Sequence, residues 1–204
     1  MVSTYPVQFN VDFPEKKLDR VSTAFRLLAA IPIVIVLTML SGQTFQNDDS
    51  RNSLVIGGAA VFVPLVLMLV FRQKYPRWWF DWNLNLMRFS NRVTAYLALL
   101  DDRYPSTDEE QSVHLDFAYP DAHQMNRWLP LVKWLLAIPH YFVLVFLGVA
   151  ALGAIIAAWF AILFTGTYPR SLFDFVVGVL RWSNRVMAYA FTLVTDQYPP
   201  FRLS

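Results

Sequence analysis

The chain contains no cysteine, which at once excludes disulfides, thiolate metal centres and cysteine nucleophiles. Charge is scarce: 16% of the 204 residues are Asp, Glu, Lys or Arg, against about 25% in ordinary soluble domains. The net charge is only +2, and the basic residues are scattered, with no tract or RNA-binding signature to mark a nucleic-acid partner. The three histidines, His114, His123 and His140, lack metal-ligand spacing. No nucleophile elbow, phosphate loop, GxGxxG, HExxH or Asp-rich pyrophosphate motif occurs. These absences predict a chain that is not an enzyme and takes no cofactor or metal. The first twenty residues carry Asp12, Glu15, Lys16, Lys17, Asp19 and Arg20 without an apolar core. A cleavable signal is therefore not expected, and the first spanning helix is expected to direct insertion.

What the chain does have is apolar length, with 56% hydrophobic and 16% aromatic residues. A bilayer-spanning helix needs about 17–25 apolar residues. Four segments qualify, at about residues 21–40, 54–71, 128–147 and 149–165, which read as two transmembrane hairpins. Arg26 and Lys133 lie near the starts of the first and third spans, where long side chains can snorkel to headgroups. With both hairpin tips outside, only Arg51 of the 17 Lys and Arg falls on the outer side. The positive-inside rule then puts both termini in the cytoplasm of a multi-pass protein of the bacterial inner membrane.

The two halves, 1–106 and 107–204, are related. Val7–Pro14 matches Val113–Pro120, Arg26–Pro32 matches Lys133–Pro139, and Tyr75-Pro-Arg77 matches Tyr168-Pro-Arg170. The closest match sets Arg88–Tyr96 against Arg181–Tyr189, and each half closes on Asp-x-Tyr-Pro, at Asp102–Pro105 and Asp196–Pro199. Val7, Phe9, Val11 and Phe13 alternate with other residues, as do Val113, Leu115, Phe117 and Tyr119. That period of two predicts strands, expected to pair with each other as a small cytoplasmic β-ribbon. The fold class is therefore an all-α integral membrane protein of two tandem repeats, each a short strand, a transmembrane helical hairpin and an amphipathic interfacial helix. Pro32 and Pro139 are expected to kink their helices. Gly148 is expected to form a tight turn, and Gly153 a packing contact.

The amphipathic helices are expected over 77–100 and 170–194. Asp81, Arg88 and Arg92 fall along one line of the first, and Asp174, Arg181 and Arg185 repeat those spacings in the second. Three readings compete. The helix can lie at the interface with its arginines toward phosphates, or pack on the hairpins with its arginines paired inside the protein. It can also span, as in an inverted-repeat transporter. Spanning would bury two arginines per unit at roughly 2.5–3.5 kcal/mol each, so the interfacial form is expected. Asp81 and Asp174 lie in the first turns, where a carboxylate offsets the helix dipole. His140 follows Pro139 inside the third span. Its counterpart is Ile33, so a packed or hydrogen-bonded histidine is expected rather than a shared functional group.

Trp128–His140, Ala158–Arg170 and Leu172–Trp182 resemble a bacterial membrane family, domain of unknown function 4389, and the first half resembles a diverged second copy. The resemblance implies a small polytopic membrane protein and supplies no catalytic residues. The expected role is a non-enzymatic accessory, assembly or scaffold subunit. Its partners would be membrane lipids and another membrane protein or a second copy, contacted through Asp81, Arg88, Arg92, Asp174, Arg181 and Arg185. The alternative is a small transporter, channel or lipid-handling protein with a polar path along those stripes.

Overall fold

The computed structural model describes residues 5–14, 17–40, 65–107 and 109–204. The first hairpin tip and most of the second expected span lie outside the described residues. In chain order the elements are β1 (Val7–Val11), α1 (Arg20–Ala29), α2 (Ile31–Leu40), α3 (Met68–Arg72, wound as a π-helix) and α4 (Arg77–Leu97). They continue with β2 (Val113–Phe117), α5 (Leu129–Leu136), α6 (Ile138–Thr165) and α7 (Arg170–Ala190). The fold is mostly helical with one two-stranded sheet.

The strands pair antiparallel as the alternation predicts, with Val7 opposite Phe117, Phe9 opposite Leu115 and Val11 opposite Val113. These six side chains are buried, while Gln8, Asn10, His114 and Asp116 are exposed. The ribbon lies across the long helices, β1 against α7 and β2 against α4. A hairpin-sized sheet is marginal alone, so this apolar seat is what stabilises it.

Both first helices of the halves break two residues before a proline. α1 and α2 meet at Ala30 with a bend of 41°, and α5 gives way to α6 at Ala137. Proline lacks the N–H that would continue the ladder and its ring crowds the preceding turn. Ala30 and Ala137 are buried under matching aromatic clusters, Phe89, Val93 and Tyr96 in one case, Trp182, Val186 and Tyr189 in the other.

The second expected hairpin is not formed. α6 runs unbroken for 28 residues through Gly148, because a lone glycine costs a helix only about 1 kcal/mol and no proline or turn residue accompanies it. Nor does Gly153 mark a packing contact: nothing lies within 4 Å of a side chain built at either glycine. The face of α6 that packs is instead His140, Ala151, Ala154, Ala158 and Ile162. Trp159 Nε1 ties this helix to α1 through the Thr23 carbonyl at 3.2 Å. Among the described residues Leu129–Thr165 is the one helix long and apolar enough to cross a membrane, with α1 and α2 a second if the bent pair counts as one.

α4 and α7 match the expected amphipathic helices to within a turn. Each starts directly after a Tyr-Pro pair, whose proline is the N-cap. Each ends just before a leucine held in the left-handed region, Leu99 at φ 65° and Leu193 at φ 57°. Burial of both leucines (3% and 0% exposed) offsets the backbone strain.

Candidate binding site

Phe9 and Leu115 face each other at the middle of the ribbon. The bonds Asp12 N–H to Ser112 O and Ala118 N–H to Pro6 O put the even-numbered residues of β1 in the hydrogen-bonded pairs. The alternation of antiparallel pairing therefore turns the carbonyls of Phe9 and Leu115 outward, to the two free edges. A stripe arginine caps each. Arg88 Nε donates to Leu115 O at 2.8 Å, and Arg181 Nε donates to Phe9 O at 2.9 Å. Each arginine also reaches the next strand side chain, Arg88 to Asp116 and Arg181 to Asn10, both at 3.4 Å. Free strand edges invite pairing with other chains, and the guanidinium groups occupy them.

One turn further along, Arg92 and Arg185 are buried. Arg92 Nη1 donates to Ser106 O at 2.8 Å, while Arg185 donates to Arg202 O at 3.3 Å and Ser204 O at 2.5 Å. Arg181 additionally holds Leu203 O at 3.1 Å, so the last residues of the chain are clasped between two arginines of α7. The tail also comes close to Gly178, where an added Cβ would meet Leu203 Cβ at 2.9 Å. Burial keeps Arg92 and Arg185 from a headgroup, so the stripe packs against protein rather than lying outward as the interfacial form requires. Asp81 lies outside this arrangement, and Asp174 enters it only through its charge, which acts on Arg181 against the effect of burial. Both carboxylates are exposed and pair with Arg77 (4.0 Å) and Arg170 (3.4 Å) one turn before them, contacts worth a few tenths of a kcal/mol.

Between the arginine rows, Asn91 and Asn184 exchange hydrogen bonds, each Nδ2 donating to the other's Oδ1 at 2.8 Å. Each also donates to its own helix, at Met87 O and Leu180 O. Both amides are buried and satisfied, so they lock the α4–α7 crossing in one register. Asn91→Leu or Asn184→Leu alone is expected to cost about 1–3 kcal/mol by stranding the partner amide. The double variant is expected to cost less than the sum, a coupling read from a double-mutant cycle in chemical unfolding. Additive losses would mean that the pair does not form.

Two cations that sequence spacing assigned to headgroups are buried as well. Lys133 (0% exposed) donates to Thr195 O at 2.7 Å and pairs with Asp196 at 2.8 Å. Its counterpart Arg26 (2% exposed) donates to Tyr96 O and Asp101 O and pairs with Asp102. The other oxygen of each carboxylate accepts a backbone N–H, from Asn126 and from Asp19. Each cation also lies over a tyrosine of its long helix, Tyr189 or Tyr96. The matching Asp-x-Tyr-Pro closings of the two halves were the signal for these partners. His140 accepts a hydrogen bond on Nδ1 from Trp182 Nε1 at 3.0 Å and stacks on Phe201 at 4.0 Å. It is fully buried, with no partner at Nε2.

The ribbon, α4, α7 and the tail enclose an open cavity of about 1070 Å³, lined by all four stripe arginines together with Gln8, Asn10, Asn85, Glu110, His114 and Asp116. Burial pulls the guanidinium pKa values of Arg181 and Arg185 down, and at Arg185 the charges of Arg181 and Arg202 push the same way. Both stay charged near neutrality. Among the described residues no group of three His, Asp or Glu is placed to hold a metal. The arrangement can bind and orient a negative group.

Residues 128–202 match the protein family described as Domain of unknown function (DUF4389). This single stretch takes in α5, α6 and α7 with Lys133, His140, Asp174, Arg181 and Arg185. No curated protein and no solved structure matches the chain.

Proposed function

We propose that the chain is a membrane protein with a non-enzymatic accessory, assembly or scaffold role, built from two copies of one unit. The observation that carries the membrane reading is the outer surface of α5–α6. Phe142, Phe146, Leu152, Phe160 and Phe164 are all more than half exposed, and only 17% of the apolar window in Leu129–Thr165 is buried. A core helix of a soluble protein would be covered, and exposed apolar patches of this extent mark lipid or protein contact. α1 and α2 add Val21, Phe25, Leu28 and Met39 to the exposed apolar surface. The two-copy reading is supported by recurrence: the arginine caps, the buried cation–Asp pairs and the clusters under Ala30 and Ala137 each appear once per half.

In this reading the long helices and the ribbon form a rigid platform at the membrane surface, and the exposed apolar helices meet lipid and a membrane partner or second copy. The arginine-lined cavity favours a second reading, a lipid-handling or transport protein. Flux into liposomes that disappears in Arg181→Ala would select it.

The absence of native cysteine makes the test simple. Gly148→Cys in isolated membranes is expected to resist a water-soluble maleimide that labels Glu110→Cys, and to react once detergent is added. Equal labelling of the two in membranes would remove the lipid-facing assignment of α6.

A further inference from the structure

α7 returns along the whole of α5–α6. At one end Ala137 and His140 meet Trp182, Val186 and Tyr189, near the end of α7. At the other, Gly166 closes α6 and α7 begins at Arg170. Midway, Arg181 holds the carbonyl of Phe9 at the centre of β1, so the ribbon stands level with the middle of α6. Its outer face carries the exposed Gln8, Asn10, His114 and Asp116. If α6 stood across a bilayer, these groups and the arginine-lined cavity would lie near mid-membrane, where uncovered polar and charged side chains are costly. Two more observations count against an upright helix. The exposed apolar stripe runs down one side from Leu131 through Ile138, Phe142, Val149 and Ile156 to Phe164. That is about 50 Å at 1.5 Å per residue, whereas the hydrocarbon core is only about 30 Å thick. Exposed cations flank both ends of the stripe, Arg127 before α5 and Lys17 and Arg20 beside Gly166, with Arg20 Nη2 donating to Phe164 O at 3.2 Å. Because α6 does not turn at Gly148, a span would put one of these sets on the outer side, against the bias of Lys and Arg to one side.

We propose that α5–α6 does not cross the bilayer but lies flat in one leaflet, with its apolar stripe among the acyl chains and the ribbon in water. Lipid then covers the full length of the stripe, as it does for amphipathic helices that settle about 5–10 Å into the boundary between headgroups and acyl chains. The cations at both ends meet phosphates of the same leaflet, and the polar face of the ribbon is not drawn into hydrocarbon. The inference rests on the reading of α5–α6 as lipid-facing and adds the attitude in which it meets lipid.

The test uses the full chain with one substitution at a time, Leu131→Cys, Gly148→Cys, Phe164→Cys or Gln8→Cys, spin-labelled and reconstituted in vesicles of phosphatidylcholine and phosphatidylglycerol. Depth is read from collisions of the label with oxygen and with a water-soluble nickel chelate. The three labels on α5–α6 are expected at one shallow depth, about 5–10 Å below the phosphates, and the label at Gln8 is expected to meet the chelate freely. A label at Gly148 near the bilayer centre, about 15 Å down, with those at Leu131 and Phe164 close to the headgroups, would overturn the proposal in favour of a span. A label at Gln8 shielded from the chelate would overturn it too, since the ribbon would then not stand in water. Free access of the chelate to all three labels on α5–α6 would remove lipid contact itself, and with it the membrane reading on which the inference rests.

Discussion

Lys133→Met is expected to lower the unfolding free energy by about 3 kcal/mol, the lower end of the cost of breaking a buried ion pair. For a chain of this size that corresponds to a melting temperature lower by roughly 6–12 °C. The lysine is fully buried, so its removal leaves Asp196 without a cation and the Thr195 carbonyl without a donor. Asp196 is 26% exposed and keeps the Asn126 N–H, which holds the loss near 3 rather than 5 kcal/mol. Lys133→Arg is expected to retain most of the stability, because Arg26 makes the same set of contacts with Asp102, a carbonyl and a tyrosine. Thermal unfolding of the three proteins in one detergent checks both statements. Indifference to methionine would mean that Lys133 reaches water instead.

Phe9→Ala is expected to cost about 3–5 kcal/mol, the range for truncating a buried phenylalanine. Phe9 is 4% exposed and sits at the centre of the face that β1 presents to α7. Its neighbour Gln8 is exposed, and Gln8→Ala is expected to change stability by less than about 0.5 kcal/mol. Amide exchange separates the ribbon from the rest. In Phe9→Ala the protection of both strands is expected to fall together, since each strand is the other's main hydrogen-bonding partner. Similar losses for the two variants would show that the ribbon does not dock on the helices.

The two variants probe the two ways in which the ends of the long helices are tied down. One is the cation–carboxylate clamp that joins the start of each half to its closing Asp-x-Tyr-Pro. The other is the ribbon, in which a strand of one half packs on the helix of the other. Arg181 reaches from the second half to β1 and Arg88 from the first half to β2. The halves are thus exchanged rather than side by side, and neither long helix is fully covered without the other half's strand.

Much of this was legible in the sequence, for reasons that are local. Alternation of period two is a property of a strand's own geometry, so β1, β2 and their pairing were readable. The prolines at 32 and 139 remove an N–H whatever surrounds them, so the breaks at Ala30 and Ala137 follow from the chain itself. The amphipathic helices were readable from spacing. The turn at Gly148 was misplaced because a span-length rule cannot tell one long apolar helix from two joined ones. Helix propagation there depends only on the absence of a breaker. Partners separated by more than 60 residues were not paired from the sequence: Arg26 with Asp102, Lys133 with the carbonyl of Thr195, and Asn91 with Asn184. Sequence placed the four arginines on two stripes and led to the expectation that they face phosphate at the interface. For Arg88 and Arg181 the choice between phosphate and protein was decided by the outward carbonyls of a two-stranded ribbon, which exist only once the strands have paired; for the buried Arg92 and Arg185 it was decided by backbone oxygens of residues 106, 202 and 204 that the fold brings to them.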